Sequence, residues 1–133
     1  MWLCLNDCFL SLVSKDCARD EVMVRARRKG DIEKIFPSAK VTRFTKSDYL
    51  YRAPVKRADV KTALAGEVDR ITYDNFKSSV TDMPLHNAYL RCWTAMAALQ
   101  NPAPYSGDDR GGWLLDKRPV AKKKNAGKLK RGQ

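Results

Sequence analysis

Four arginines, Arg25, Arg27, Arg43 and Arg52, fall in or between segments that read as β-strand. Val22, Val24 and Ala26 alternate with Met23, Arg25 and Arg27, the period-two pattern of a strand with one buried face. If the aliphatic set faces a core, Arg25 and Arg27 face outward beside Met23. Tyr49, Tyr51, Ala53 and Val55 alternate in the same way, which places Arg52 outside, and Arg43 sits on the strand between the two in sequence. The nearby acids Glu21, Asp31 and Asp48 lie at strand ends. An uncovered, acid-poor arginine face suits a phosphate backbone. The inverse phasing would turn Tyr49 and Tyr51 outward, where bases stack. The plainest alternative is a solvated arginine face over a tyrosine core.

The C-terminus holds the densest charge. From Asp116 onward there is no further acid, while Lys117, Arg118, Lys122, Lys123, Lys124, Lys128, Lys130 and Arg131 crowd a segment almost without apolar residues. Such a segment lacks the apolar surface to offset its ordering entropy, so it is expected to be a disordered basic tail. Residues 1–100 hold 17 Lys and Arg against 12 Asp and Glu, a net +5, and residues 101–133 hold 9 against 3, a net +6. The tail thus amplifies a body that is itself basic. Lysines of this kind neutralise phosphates and position a protein without reading bases. A solubilising role, or an address signal in a eukaryotic host, is the other use of such a run.

Between body and tail lies Gly111-Gly112 followed by Trp113, Leu114 and Leu115, an apolar cluster in a polar linker. Tryptophan seeks a pocket. The cluster either anchors a partner protein or folds back on its own domain.

Catalytic and metal chemistry find little footing. His86 is the sole histidine, and Cys92, six residues on, does not share its helical face. Cys4, Cys8, Cys17 and Cys92 form no C-x-x-C pair, so no metal site is expected, and reduced, mostly buried thiols are. Asp16, Asp20 and Glu21 share a loop that reads as a solvated turn rather than a cation loop. No glycine spacing matches a phosphate-cradling loop, and no cofactor is indicated. The chain shows no secretory leader, and no stretch approaches the roughly eighteen apolar residues of a membrane span. A cytoplasmic protein with no membrane partner is the expectation.

These residues need a scaffold, and the pattern suggests one. Residues 2–13 are β-leaning, with Asn6-Asp7 as a turn or bulge, and Cys8 to Val13 reads as a strand paired with the Val22 strand. Asp31 is the expected N-cap of a short helix ended by Pro37. Strands follow at Lys40–Phe44 and across Tyr49 to Val55, with Pro54 at an edge or bulge. A helix starts near Ala58, a single helical turn falls within 73–80, and a last helix starts at Asp82-Met83-Pro84. Its apolar stripe runs Leu85, Ala88, Tyr89, Cys92, Met96 and Leu99, widened by Trp93. The expected fold is α+β: a two-layer sandwich with a mainly antiparallel four-stranded sheet in ββα-ββα-α order, its helices on one face. The expected organisation is a globular domain over 1–100, a Pro/Gly linker over 101–116 and a basic tail over 117–133.

The segments 24–33 (Val-Arg-Ala-Arg-Arg-Lys-Gly-Asp-Ile-Glu), 48–53 (Asp-Tyr-Leu-Tyr-Arg-Ala), 73–77 (Tyr-Asp-Asn-Phe-Lys) and 85–93, Leu85-His86-Asn87-Ala88-Tyr89 to Trp93, resemble a group of short uncharacterised bacterial and phage-borne proteins. The resemblance covers roughly residues 1–100. It implies a bacterial or phage context and transfers no activity and no site residue. The expected function is electrostatic binding of nucleic acid, DNA or RNA, by a small non-enzymatic protein. The alternatives are a protein-interaction module using the 85–99 helix or the Trp113 cluster, and a small nuclease.

Overall fold

The computed structural model describes residues 1–101 and 104. The Trp113-Leu114-Leu115 cluster and the basic run from Lys117 to Arg131 lie outside the described residues. The chain forms strands β1 (Trp2–Cys4), β2 (Phe9–Val13) and β3 (Glu21–Ala26), helix α1 (Asp31–Ile35), strands β4 (Thr42–Arg43) and β5 (Tyr51–Lys56), and helices α2 (Arg57–Asp69), α3 (Phe76–Ser79) and α4 (Met83–Ala97). The class is α+β, as expected. The sheet has five strands rather than four, ordered β1-β2-β3-β5-β4 and antiparallel at every pairing. The extra strand is β1: Asn6-Asp7 is a turn, so residues 2–13 fold into a hairpin instead of one strand.

β3 lies in the middle, hydrogen-bonded to β2 and β5. Its register brings Leu12, Val24 and Ala53 into one row and Val22 opposite Val55. Leu10, Val24, Ala26 and Ala53 on this face are fully buried, and Ile32 and Phe36 of the α1 region and Val60 of α2 pack with them. Each large aliphatic side chain buried there contributes about 1.5–3 kcal/mol. Pro54 occupies β5 opposite Met23, and β4 pairs with β5 only at Tyr51 and Arg52. The proline therefore sits beyond the β4 ladder, where a missing N–H costs no sheet hydrogen bond.

Gly30, at φ 88°, makes the turn into α1, a conformation that side chains disfavour. Asp31 is not the N-cap expected of it. It is the first helical residue, and its buried carboxylate receives the Arg28 guanidinium at 3.2 and 3.4 Å. Arg28 also reaches Asp82 Oδ2 at 2.8 Å. Asp82 is the N-cap of α4, its Oδ1 accepting the Leu85 N–H at 2.9 Å, with Pro84 in the first turn. One guanidinium thus clasps α1 to the start of α4.

Nor do the helices share one face. α4 inserts Leu85 and Tyr89 against Val80, Phe76 and Phe9, and Phe9 belongs to the face opposite Leu10 and Leu12. The Tyr89 hydroxyl shares its proton between the carbonyls of Cys8, at 2.8 Å, and Leu5, at 3.0 Å. Only the first two turns of α4 are anchored this way. Met96 and Leu99, further along the expected stripe, are 63% and 77% exposed. The cysteines also differ from expectation: all four are free thiols, but only Cys8 is buried, and burial with Asp7 and Asp31 nearby pushes its thiol up to about 12. None of the helices described is long and apolar enough to cross a membrane.

Tyr89→Phe should lower stability by about 1 kcal/mol in urea unfolding, because the Leu5 carbonyl loses its partner. The Leu85 N–H and, second to it, the Arg28 guanidinium hold the Asp82 carboxylate below its ordinary value. A depressed carboxylate adds stability above its unfolded pKa, about 3.9, which is lost as pH falls through the folded value. The stability difference between wild type and Asp82→Asn should therefore be constant near neutrality and shrink below about pH 4.

Candidate nucleic-acid interface

The second sheet face carries a transverse polar row. Strand register aligns Trp2 with Ser11, Ser11 with Arg25, Arg25 with Arg52 and Arg52 with Thr42, so the row crosses all five strands. Arg27, two residues beyond Arg25, keeps the same parity and faces the same way. Met23, also on this side, is buried. The expectation that Arg25, Arg27 and Arg52 leave the aliphatic face holds in the register.

Arg43 does not join them. It pairs with Tyr51, and Tyr51 pairs with Ala26, so Arg43 projects from the aliphatic face beside α1. Its distance in sequence from Arg25 and Arg52 gave no parity. The β4–β5 register assigns it, and a shift of one residue would have reversed the outcome.

Tyr49 organises the arginine cluster. It precedes β5, is 3% exposed and belongs to neither apolar cluster. The Arg25 and Arg27 guanidinium carbons lie 4.4 and 4.5 Å from its ring centroid. Alternate side chains on a strand stand about 6.6 Å apart, enough for both guanidinium groups to reach one ring. Neither phasing considered for the tyrosines is correct for both. Tyr51 packs with the aliphatic core, whereas Tyr49 sits on the arginine face, where guanidinium groups rather than bases occupy its ring.

Hydrogen bonds fix the arginines further. Arg25 Nη2 donates to Ser11 Oγ at 2.8 Å, and its Nε is buried without a partner among the described residues. Arg27 Nη1 donates to the Asp48 carbonyl at 2.8 Å. Arg52 donates from Nη2 to Ser47 Oγ, approaches Asp48 Oδ1 at 3.5 Å, and stands 5.2 Å from the Phe44 ring centroid. Among the described residues, the one ion pair made by these three arginines is that of Arg52 with Asp48. The cluster is therefore a surplus of positive charge held in place by aromatic rings, hydroxyls and carbonyls. A guanidinium carries five N–H donors, and Arg25 and Arg27 each use one on a described residue.

The other sequence candidates are engaged elsewhere. Asp20 and Glu21 accept Lys56 Nζ at 2.8 and 3.3 Å, so this acid pair closes the β2–β3 loop onto β5. His86 is half-buried with Nδ1 2.9 Å from the Lys77 carbonyl. Tyr49 is the residue whose role the sequence concealed: its alternation with Tyr51 implied a shared face, and the turn before β5 breaks that phase.

Tyr49→Leu should cost about 1–2 kcal/mol in urea unfolding, from two cation–π contacts at roughly 0.5–1 kcal/mol each, while Tyr49→Phe, which keeps a ring, should stay close to wild type. No family model, curated protein or solved structure matches this chain.

Proposed function

We propose that the protein binds nucleic acid electrostatically, as a small non-enzymatic, cytoplasmic accessory factor in the bacterial or phage context that the sequence resemblance implies. The observation that carries this reading is the cluster of Arg25, Arg27 and Arg52, in which cations are fixed chiefly by neutral groups. A salt bridge would hold an arginine and cancel its charge. A ring face or a carbonyl holds it and leaves the charge available. Guanidinium groups fixed in this way lose less freedom on meeting a phosphate, and their planar donors suit phosphate oxygens. The lysines and arginines from Lys117 to Arg131 add affinity that does not depend on base sequence. Arg43 lies on the other side of the sheet and does not contribute to this cluster.

A second reading draws on α4. Met96 and Leu99 expose the C-terminal part of its apolar stripe beside a cleft of about 400 Å³ lined by Trp93, Met96, Ala97, Gln100 and Pro104. Such a surface favours a protein partner. A pull-down that retains one specific protein after nuclease and high-salt washing, and loses it with Met96→Asp, supports docking at α4.

Titration of the full chain with mixed-sequence single-stranded DNA and RNA separates the two. Binding at about 50 mM salt should weaken roughly three hundredfold by about 200 mM if six phosphates of a single strand are contacted. Arg27→Gln should reduce the slope of log affinity against log salt by about 0.7, one single-strand phosphate contact. Loss of all binding on truncation after Asp116, with no effect of Arg27→Gln, would move the activity to the tail. No binding by the full chain at about 50 mM salt would remove the nucleic-acid reading.

A further inference from the structure

Aromatic side chains stand at both ends of the polar row that carries the arginines. Trp2 of β1 opens the row, opposite Ser11, and is 66% exposed. Phe44 stands at the other end, beside Thr42. Two residues past Thr42, it keeps that residue's side of the sheet, and its N–H donates to the Leu50 carbonyl at 2.7 Å. It is 45% exposed. Trp93 on α4 is the other exposed aromatic side chain among the described residues. From β1 to β4 the row takes four inter-strand steps of about 4.8 Å, a width of about 19 Å.

Both rings are oriented by the fold. The Met1 carbonyl accepts the Leu12 N–H at 2.8 Å, so β1 is fixed on both sides of Trp2. The Trp2 ring meets Phe9 edge to face, with centroids 5.7 Å apart and planes at 74°. Phe9 lies on the arginine face and packs under α4, so this contact holds the indole on that face. The Arg52 guanidinium carbon, 5.2 Å from the Phe44 centroid, places that ring on the same side. Neither contact encloses the ring that it orients. Exposed apolar side chains scattered singly are ordinary. Two open rings that bracket Arg25, Arg27 and Arg52 across one sheet face match a ligand with bases at both ends and phosphates between. A duplex turns its bases inward, whereas a single strand offers base faces and phosphates together.

We propose that this face takes a single strand of nucleic acid running across the β-strands. One base stacks on Trp2, another stacks on Phe44, and the phosphates between them meet Arg25, Arg27 and Arg52. The inference rests on the electrostatic reading above and deepens it. It makes the ligand single-stranded and adds a contribution that does not come from phosphate charge. Every base has a π-face, so stacking of this kind tolerates any sequence. The tyrosines do not serve this purpose: Tyr49 is enclosed by guanidinium groups, and Tyr51 packs with the aliphatic core.

The test titrates the full chain with two probes of equal length and charge, a short oligothymidylate and an abasic strand with the same phosphates. Each stacked base contributes roughly 5- to 150-fold in affinity, so with two stacks the oligothymidylate should bind at least about 25-fold more tightly. Trp2→Leu keeps apolar bulk against Phe9 and removes the flat ring. It should weaken oligothymidylate binding at least about fivefold while leaving abasic-strand affinity, the salt slope and the melting temperature at wild-type values. Phe44→Leu should weaken oligothymidylate binding as well, and the double variant should bind the two probes alike. Equal, salt-dependent binding of both probes by the wild type would overturn stacking and leave the electrostatic reading standing. A preference for the oligothymidylate that survives in the double variant would overturn the assignment to Trp2 and Phe44. No binding of either probe at about 50 mM salt would remove the electrostatic reading and this inference with it.

Discussion

A strand bonded on both sides has no free edge, so its chemistry is confined to its two faces, and β3 is the central one of three such strands. Its even-numbered residues Val22, Val24 and Ala26 are buried in the aliphatic core. Its odd positions must then project to the other side, and they carry Met23 and Arg25, with Arg27 continuing the phase. Two residues after the strand, Arg28 clasps α1 to α4 through Asp31 and Asp82. The stretch from Glu21 to Asp31 therefore builds the core, carries the arginines and fastens the helices. A change in its phase would disturb all three at once, because a one-residue shift exchanges the faces.

The arginine cluster shows how charge is held near a fold without being cancelled. Arg28 is an opposite case: two carboxylates surround it, and its role is structural. Arg25 and Arg27 meet a tyrosine ring, a serine hydroxyl and a carbonyl instead. Ring and guanidinium also bury each other, which is why Tyr49 is enclosed while standing outside both apolar clusters. The same residue type thus serves as a clasp or as a presented charge, and the neighbouring acids decide which.

Period-two alternation made β3 and the outward direction of Arg25, Arg27 and Arg52 legible in the sequence, because burial of one face imposes that period. The Asp82-Met83-Pro84 start of α4 was legible for a local reason, as side-chain oxygen and proline both act within one turn. What depended on pairing between distant segments was not. Arg43 needed the β4–β5 register, and the clasp at Asp31 needed Asp82, which lies 54 residues beyond Arg28. The α4 stripe was correct as a pattern. Its docking by Leu85 and Tyr89, with Met96 and Leu99 left exposed, depends on where Phe9 ends up.

In the complex we propose, arginines held by Tyr49 meet the phosphate backbone. The most direct measurement is nuclear magnetic resonance of the arginine side-chain Nε–H groups in the full chain as single-stranded oligonucleotide is added at low salt. The Arg25, Arg27 and Arg52 signals should shift together and saturate while the Arg28 signal, enclosed by Asp31 and Asp82, stays in place. Shifts confined to residues beyond Asp116, or to α4, with the three cluster arginines unmoved, would contradict it.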